Sequence, residues 1–279
     1  MSWKKDEKKK SKVYHNTFIL DFQKNNLKIS RKDILLSKII KFFNPRNKYL
    51  KLKFKDDNLN RFFSIKYSPN FDYYEDLIDG NMINISQAVN IYHLLIRTIL
   101  LKVPGEIVEL GCFKGVTTMI MQKTLDQYRS NKRIHVYDSF QGLPEKTKKD
   151  GSTYFKKGFC RAEERDLIMN FKKAKLKLPV IHKGLFKDTL PGHLPNKISF
   201  AYLDGDFYTS TKEGLKHLYL RLSKGAIVVI DDYCDPKVHN VHNILPGVKR
   251  ACDEFFKNKP EKMSVLISGW QSHGYFVKM

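Results

Sequence analysis

Acidic residues stand at the ends of four short apolar runs. Glu109 lies in Val108-Glu-Leu-Gly-Cys-Phe-Lys-Gly115, and Asp138 closes Ile134-His-Val-Tyr-Asp138. Asp204 follows Ile198-Ser-Phe-Ala-Tyr-Leu203, and Asp231-Asp232 follow Ala226-Ile-Val-Val-Ile230. If the runs are parallel strands of one open sheet, ligands bind beyond their carboxyl ends, and these carboxylates share an edge. Three or four like charges at one edge repel each other unless a cation neutralises them. Hard oxygen donors, with no thiolate or paired imidazole among them, favour Mg²⁺, with Mn²⁺ and Ca²⁺ as alternatives. Helix capping explains Asp231 or Asp206 taken singly; it explains Asp204, Asp231 and Asp232 together poorly.

The stretch around Glu109 suggests the second ligand. A strand, a tight turn and a helix start place backbone N–H groups toward a ligand. Gly111 supplies the turn and Gly115 a close approach. The spacing is G-x-x-x-G rather than the G-x-G-x-x-G that a pyrophosphate needs. A cofactor without pyrophosphate and with a cationic amino-acid portion suits it, and S-adenosylmethionine (SAM) is such a molecule. Glu109 then organises the loop around the ammonium, the helix N-terminus receives the carboxylate, and Asp138 accepts from the ribose hydroxyls. On this stretch alone, an ordinary strand-turn-helix corner competes with that reading.

The elements that must position these groups follow from periodicity. A helix is expected over 81–103, capped by Asn84 or Ser86, with Val89, Ile91, Leu94, Leu95, Ile99 and Leu100 as its buried stripe. Pro104-Gly105 ends it and launches the first core strand, and a helix follows at Val116–Leu125. Further strands are expected at Ile134–Asp138, Leu178–His182, Ile198–Leu203 and Ala226–Ile230, with helices near 161–175, 209–223 and 247–257. Met263–Ile267 and Gly274–Lys278 are joined too closely for a crossover helix, so they pair antiparallel. The sum is an α/β fold: a mostly parallel seven-stranded sheet with an antiparallel C-terminal edge pair and helices on both faces. This Rossmann-like layout is that of class I methyltransferases.

Residues 1–75 are read as a basic extension: a lysine-rich tail, a strand over Val13–Phe22, a helix over Ile34–Phe43 and a weakly alternating stretch over 51–65. Packing on the main domain (76–279) or an oligomer contact is its expected role. No run reaches the roughly 20 apolar residues of a membrane span, and no apolar signal core follows the N-terminal lysines, so a cytoplasmic protein is expected. The cysteines are scattered without a C-x-x-C pair, which argues for incidental thiols and against zinc. Net charge is +22, from 51 Lys+Arg against 29 Asp+Glu. Such an excess admits nucleic acid, an anionic surface or an acidic substrate. Lysine outweighs arginine, the usual reader of base edges, so no specific nucleic-acid partner is expected.

Five stretches occur in the order seen in macrocin O-methyltransferases: Val103–Gly115, Asp138-Ser-Phe-Gln-Gly-Leu-Pro144, Gly184-Leu-Phe-Lys-Asp-Thr-Leu-Pro191, Leu203-Asp-Gly-Asp-Phe-Tyr208 and Val229-Ile-Asp-Asp-Tyr233. The chain resembles that family over about residues 80–279. The resemblance implies a SAM- and Mg²⁺-dependent enzyme that methylates sugar hydroxyls on small molecules. It implies that Glu109, Gly111, Phe113, Gly115 and Thr117 surround the methionine part of SAM. Asp138 would hold the ribose, and Ser139, Gly184 and Phe186 would border the adenine. Asp204, Asp231 and Asp232 would be the metal ligands, with Asp204 also a candidate base. Catechol methyltransferases, which are similar, carry Lys three residues after the first ligand; here that residue is Phe207, which speaks against the catechol type. The loop Cys234–Leu245 looks longer than usual and adds His239 and His242 as further base candidates. Two rival readings remain: a nucleotide-dependent dehydrogenase or epimerase, and a nucleic-acid-binding protein or methyltransferase on the same fold.

Overall fold

A computed structural model describes strand segments 27–28, 50–54, 65–68 and 73–75, residue 83, and residues 85–279 except 240–242 and 269–270. The chain divides into two compact units, Met1–Ser86 and Gln87–Met279; the sequence reading sets the boundary at 75/76. In the first unit β1 (Leu27–Lys28), β2 (Leu50–Phe54), β3 (Ile65–Ser68) and β4 (Tyr73–Glu75) form an antiparallel sheet in sequential order. The ends of the weakly alternating stretch are thus the paired strands β2 and β3, with Leu52 opposite Ile65. The strand expected over Val13–Phe22 and the helix expected over Ile34–Phe43 lie outside the described residues.

The second unit alternates as the periodicity predicts. Its elements are α1 (Ile85–Leu100), β5 (Glu106–Leu110), α2 (Val116–Gln127), β6 (Ile134–Asp138), α3 (Glu164–Ala174) and β7 (Val180–Lys183). After them come α4 (Phe186–His193), β8 (Ile198–Leu203), α5 (Tyr208–Tyr219), β9 (Leu222–Ile230), α6 (Pro246–Phe256), β10 (Ser264–Ser268) and β11 (Gln271–Val277). The seven strands order as β10-β11-β9-β8-β5-β6-β7. β5 to β9 are parallel, and β11 runs antiparallel to both β9 and β10. This is the expected mixed sheet. From β5 the chain winds outward through β6 and β7, then returns to the other side of β5 at β8. That reversal is the topological switch point, where open α/β sheets hold ligands.

Differences in detail have local causes. α1 buries Ala88, Ile91, Tyr92 and Leu95, an i, i+3, i+4, i+7 stripe, whereas Leu100 is exposed. The expected stripe shares Ile91 and Leu95 with this one, while Val89, Leu94 and Ile99 are half-buried at its side. Ser86 lies inside the helix, and Asn84 is outside the described residues. β7 starts at Val180, after Pro179, which has no N–H for the ladder. β9 starts earlier than expected, at Leu222, where its register with β8 shifts; Gly225, φ +82, stands at that irregularity. α4 is not visible in the sequence pattern, since it is short and contains Pro191.

The central strands are buried on both faces. Val108, Leu110, Ala201, Leu203, Val228 and Ile230 belong to one apolar cluster with Leu215, Val248 and Phe276. Each large side chain buried there stabilises the unit by about 1.5–3 kcal/mol. A stiff core of this kind fixes the level at which each strand ends, and that level defines the site. Among the described residues, no helix is long and apolar enough to cross a membrane.

Candidate active site

Strand register sets the acidic ends side by side. Leu110 pairs with Tyr137 on one side and Leu203 on the other, and Leu203 pairs with Ile230. The next residues are Gly111, Asp138, Asp204 and Asp231. The ladder continues one step into them: the Gly111 amide donates to the Tyr137 carbonyl at 2.8 Å, Asp204 to Leu110 at 2.8 Å and Asp231 to Leu203 at 2.9 Å. Four adjacent strands thus finish at one level.

The glycine turn is tightly built. Gly111 has φ +83, and a Cβ there would lie 2.0 Å from the Asp204 carbonyl oxygen, so only glycine fits. Gly115, φ 81, is the N-cap of α2 and provides no side-chain cap. The first-turn N–H groups of Val116, Thr117 and Thr118 therefore have no capping side chain. Behind them Glu109 is 1% exposed. Thr118 Oγ1 donates to Glu109 Oε2, while Oε1 is buried without a partner. Burial pushes the Glu109 carboxyl up; the Thr118 bond tempers this and the charge of Asp138 adds to it, for a value of about 8. A buried acid with an unpartnered oxygen beside uncapped amides fits the ammonium and carboxylate of a SAM-like cofactor.

Asp138 does structural work as well. Its Oδ2 accepts the Cys112 and Phe113 amides at 2.9 and 3.0 Å, and its Oδ1 accepts the Phe140 amide at 2.7 Å. Phe113 and Phe140 have φ of 47 and 55, in the left-handed region, and Asp138 holds both. Each carboxylate oxygen keeps acceptor capacity beyond these bonds. Ser139 lines a cavity of about 510 Å³ with Phe140, Gln141, Arg161 and Lys183. Gly184 donates its amide to the Asp138 carbonyl at 2.9 Å, and Phe186 opens α4. These last residues border the same strand ends.

The acidic cluster differs in membership from the expected ligand set. Carboxylate oxygens of Asp204, Asp206 and Asp232 lie within 4.8 Å of one another. Asp231 stands beside them, but its Oδ1 accepts Gln87 Nε2 at 3.0 Å and lies 3.0 Å from His273 Nε2. Burial, and then the charge of Asp231 and its neighbours, pushes Asp204 and Asp232 well above the carboxylate range. Asp206 is pushed to about 7 by burial and by Asp231 and Asp138. Asp231 goes the other way: burial opposes its ionisation, yet bonds from His273 and Tyr202 hold it below the usual range. Asp206 and Asp232 have φ of 54 and 53, so the strand ends carry backbone strain where the carboxylates converge. Crowded, half-buried oxygen donors of this kind fit a hard divalent cation.

Asp206 is the member that capping logic obscured. α5 is capped by a distant residue, Asp150, whose Oδ1 accepts the Tyr208 amide at 2.6 Å. The D-G-D spacing, two carboxylates two residues apart, is the signal that would have found it. Phe207 is 1% exposed and belongs to the core, far from any role as a base. Cys160, left-handed at φ 57, has its thiol pushed to about 12 by burial and by Asp206, Asp204, Asp232 and Asp138. The loop that carries it therefore borders the cluster, which the sequence reading did not anticipate. His239 is half-buried and donates its amide to Asp235, and His242 lies outside the described residues.

A family model described as macrocin-O-methyltransferase (TylF) matches residues 78–259. The chain belongs to the macrocin O-methyltransferase family. Within that family it is 30% identical over 172 residues to the 8-demethyl-8-(2,3-dimethoxy-alpha-L-rhamnosyl)-tetracenomycin-C 4'-O-methyltransferase of Streptomyces olivaceus, over 57% of this chain and 66% of the relative. It is 30% identical over 184 residues to the demethyldecarbamoylnovobiocin O-methyltransferase of Streptomyces niveus, over 62% of this chain and 66% of the relative. The chain thus spans just under two thirds of these relatives' length. The solved structure of the O-methyltransferase NovP superposes with a TM-score of 0.60 at 27% identity, covering 71% of this chain and 82% of that one. CalS11, a calicheamicin methyltransferase, gives 0.57 at 22%, covering 70% and 80%, a likeness of fold. As a macrocin O-methyltransferase family member, the chain has the class I fold expected from its sequence.

Proposed function

We propose that this chain transfers a methyl group from SAM to a hydroxyl of a sugar or glycosylated small molecule, with a divalent cation, Mg²⁺ by donor chemistry, at the acidic cluster. The observation that carries this is the common level of Gly111, Asp138, Asp204 and Asp231, which sets a cofactor turn directly against an acidic cluster. The first relative's name supports the acceptor class, since it specifies a rhamnosyl group on the acceptor.

Glu109 and the amides of residues 116–118 would hold the two charged groups of the cofactor's amino-acid end. Asp138 would take the ribose, and Ser139, Gly184 and Phe186 would border the adenine. Asp204 and Asp232 belong to both the implied and the observed acidic sets, and they are the leading ligands; Asp231 and Asp206 are their neighbours. SAM supplies a methyl already activated by its sulfonium, and the cation supplies positive charge beside the acceptor oxygens. The protein's own task is alignment of the acceptor oxygen and removal of its proton. Asp204, with Asp206 beside it in the same cluster, is the carboxylate placed to accept that proton.

The test follows labelled methyl transfer from SAM to a panel of methyl glycosides with vicinal diols. EDTA should stop transfer and Mg²⁺ should restore it. Asp204→Asn should abolish turnover and leave S-adenosylhomocysteine (SAH) affinity intact. Full-rate transfer in EDTA would remove the cation from the reading, and absence of SAH binding by the wild type would overturn it entirely.

A further inference from the structure

Behind the acidic cluster lies a second layer of buried polar groups. Gln87 and His273 are 0% exposed and Tyr202 is 1% exposed. Gln87 comes from α1, Tyr202 from β8 and His273 from β11. Two of them reach Asp231 directly: Gln87 Nε2 donates to its Oδ1 at 3.0 Å, and His273 Nε2 lies 3.0 Å from the same oxygen. The Tyr202 hydroxyl lies 3.4 Å from His273 Nε2, which closes the group. His273 Nδ1 is buried without a partner, so the ring proton belongs on Nε2, facing the carboxylate.

Burying three polar side chains around one acid is costly unless the acid is the purpose, because apolar side chains of similar shape would fill the same space. The trio gathers at one carboxylate. It acts on Asp231, whose own amide is tied to Leu203, and the left-handed Asp232 follows immediately. Fixing the Asp231 carboxylate therefore fixes the turn that delivers Asp232. We infer that Gln87, Tyr202 and His273 are positioning residues that clamp Asp231 and thereby hold the cation seat in shape. The inference rests on the metal reading proposed above.

The experiment measures Mn²⁺ binding by electron paramagnetic resonance on the full chain, with SAH affinity and thermal midpoint taken on the same samples. His273→Leu and Gln87→Met remove one donor each from different elements, and His273→Gln offers an amide donor in place of Nε2. Partners of this kind typically change metal affinity by about 10- to 100-fold. Mn²⁺ affinity should fall by that order in His273→Leu and Gln87→Met, recover largely in His273→Gln, and do so at unchanged SAH affinity. Should His273→Leu fail to fold, Gln87→Met carries the test. Wild-type protein that takes up no Mn²⁺ would overturn the metal reading and the clamp with it. Uptake by the wild type, matched by both variants, would overturn the clamp alone.

Discussion

Burial keeps Glu109 near 8, against the bond from Thr118, and leaves Oε1 without a partner. At neutral pH such a carboxyl is protonated, and an ammonium brought against it reverses that. Because the pKa of the free protein is raised, the proton is present below about 8 and leaves when a cationic ligand arrives. SAH binding at pH 7 should therefore release close to one proton, read by calorimetry in buffers of different ionisation enthalpy. The release should fade above pH 8, where the acid is already ionised, and vanish in Glu109→Gln. Uptake or silence in the wild type would mean that the ammonium sits elsewhere. The sequence reveals Glu109 because an acid inside an apolar strand is conspicuous. Thr118 is hidden by contrast, since nothing in Val116-Thr-Thr-Met119 distinguishes the threonine that turns inward from its neighbour Thr117. Asp206 is hidden for a related reason: an acid before a helix reads as a cap until the true cap is seen.

Short apolar runs, four of them with an acid at or near the end, make the five parallel strands and their site edge legible, and a link too short for a crossover gives the antiparallel pair. What stayed illegible is contact across long sequence separation. The bond from Gln87 to Asp231 spans 144 residues, and that from Asp150 to the Tyr208 amide spans 58. Neither leaves a trace in a local pattern. α4 escaped because Pro191 reads as a breaker, although its helix is held at the start by the Thr189 hydroxyl bonded to the Leu185 carbonyl. The Asp150 contact has an energetic consequence of its own. Asp150 is 1% exposed, closes a capping box with Thr147 and caps α5 at the strand end that carries Asp204 and Asp206. Asp150→Ala should cost at least about 1 kcal/mol in chemical denaturation, the usual worth of a lost helix cap. It should also loosen the loop that carries Cys160, so that thiol labelling at Cys160 speeds up. Unchanged stability and labelling would mean that α5 starts equally well without it.

The molecule as a whole carries a net charge of +22, with lysine far outweighing arginine. Among the described residues, Lys149 and Lys212 pair with Glu254 and the Tyr208 hydroxyl. DNA or RNA should accordingly bind weakly and without sequence preference. In fluorescence polarisation, affinity should drop by about 10³-fold or more between roughly 50 and 200 mM salt if several phosphates are contacted. Tight, sequence-selective binding at physiological salt would restore the nucleic-acid reading. Gly111 has no room for even a methyl group against the Asp204 carbonyl, so the glycine turn packs directly on the first acid of the cluster. If the turn holds the cofactor and the cluster a cation, as proposed, any linkage between the two is symmetric. Whatever factor a cation applies to the affinity of the glycine turn, an occupant of the turn applies the same factor to the affinity for the cation. Which of the two loads first is then decided by rates and concentrations, and neither order is written into the fold.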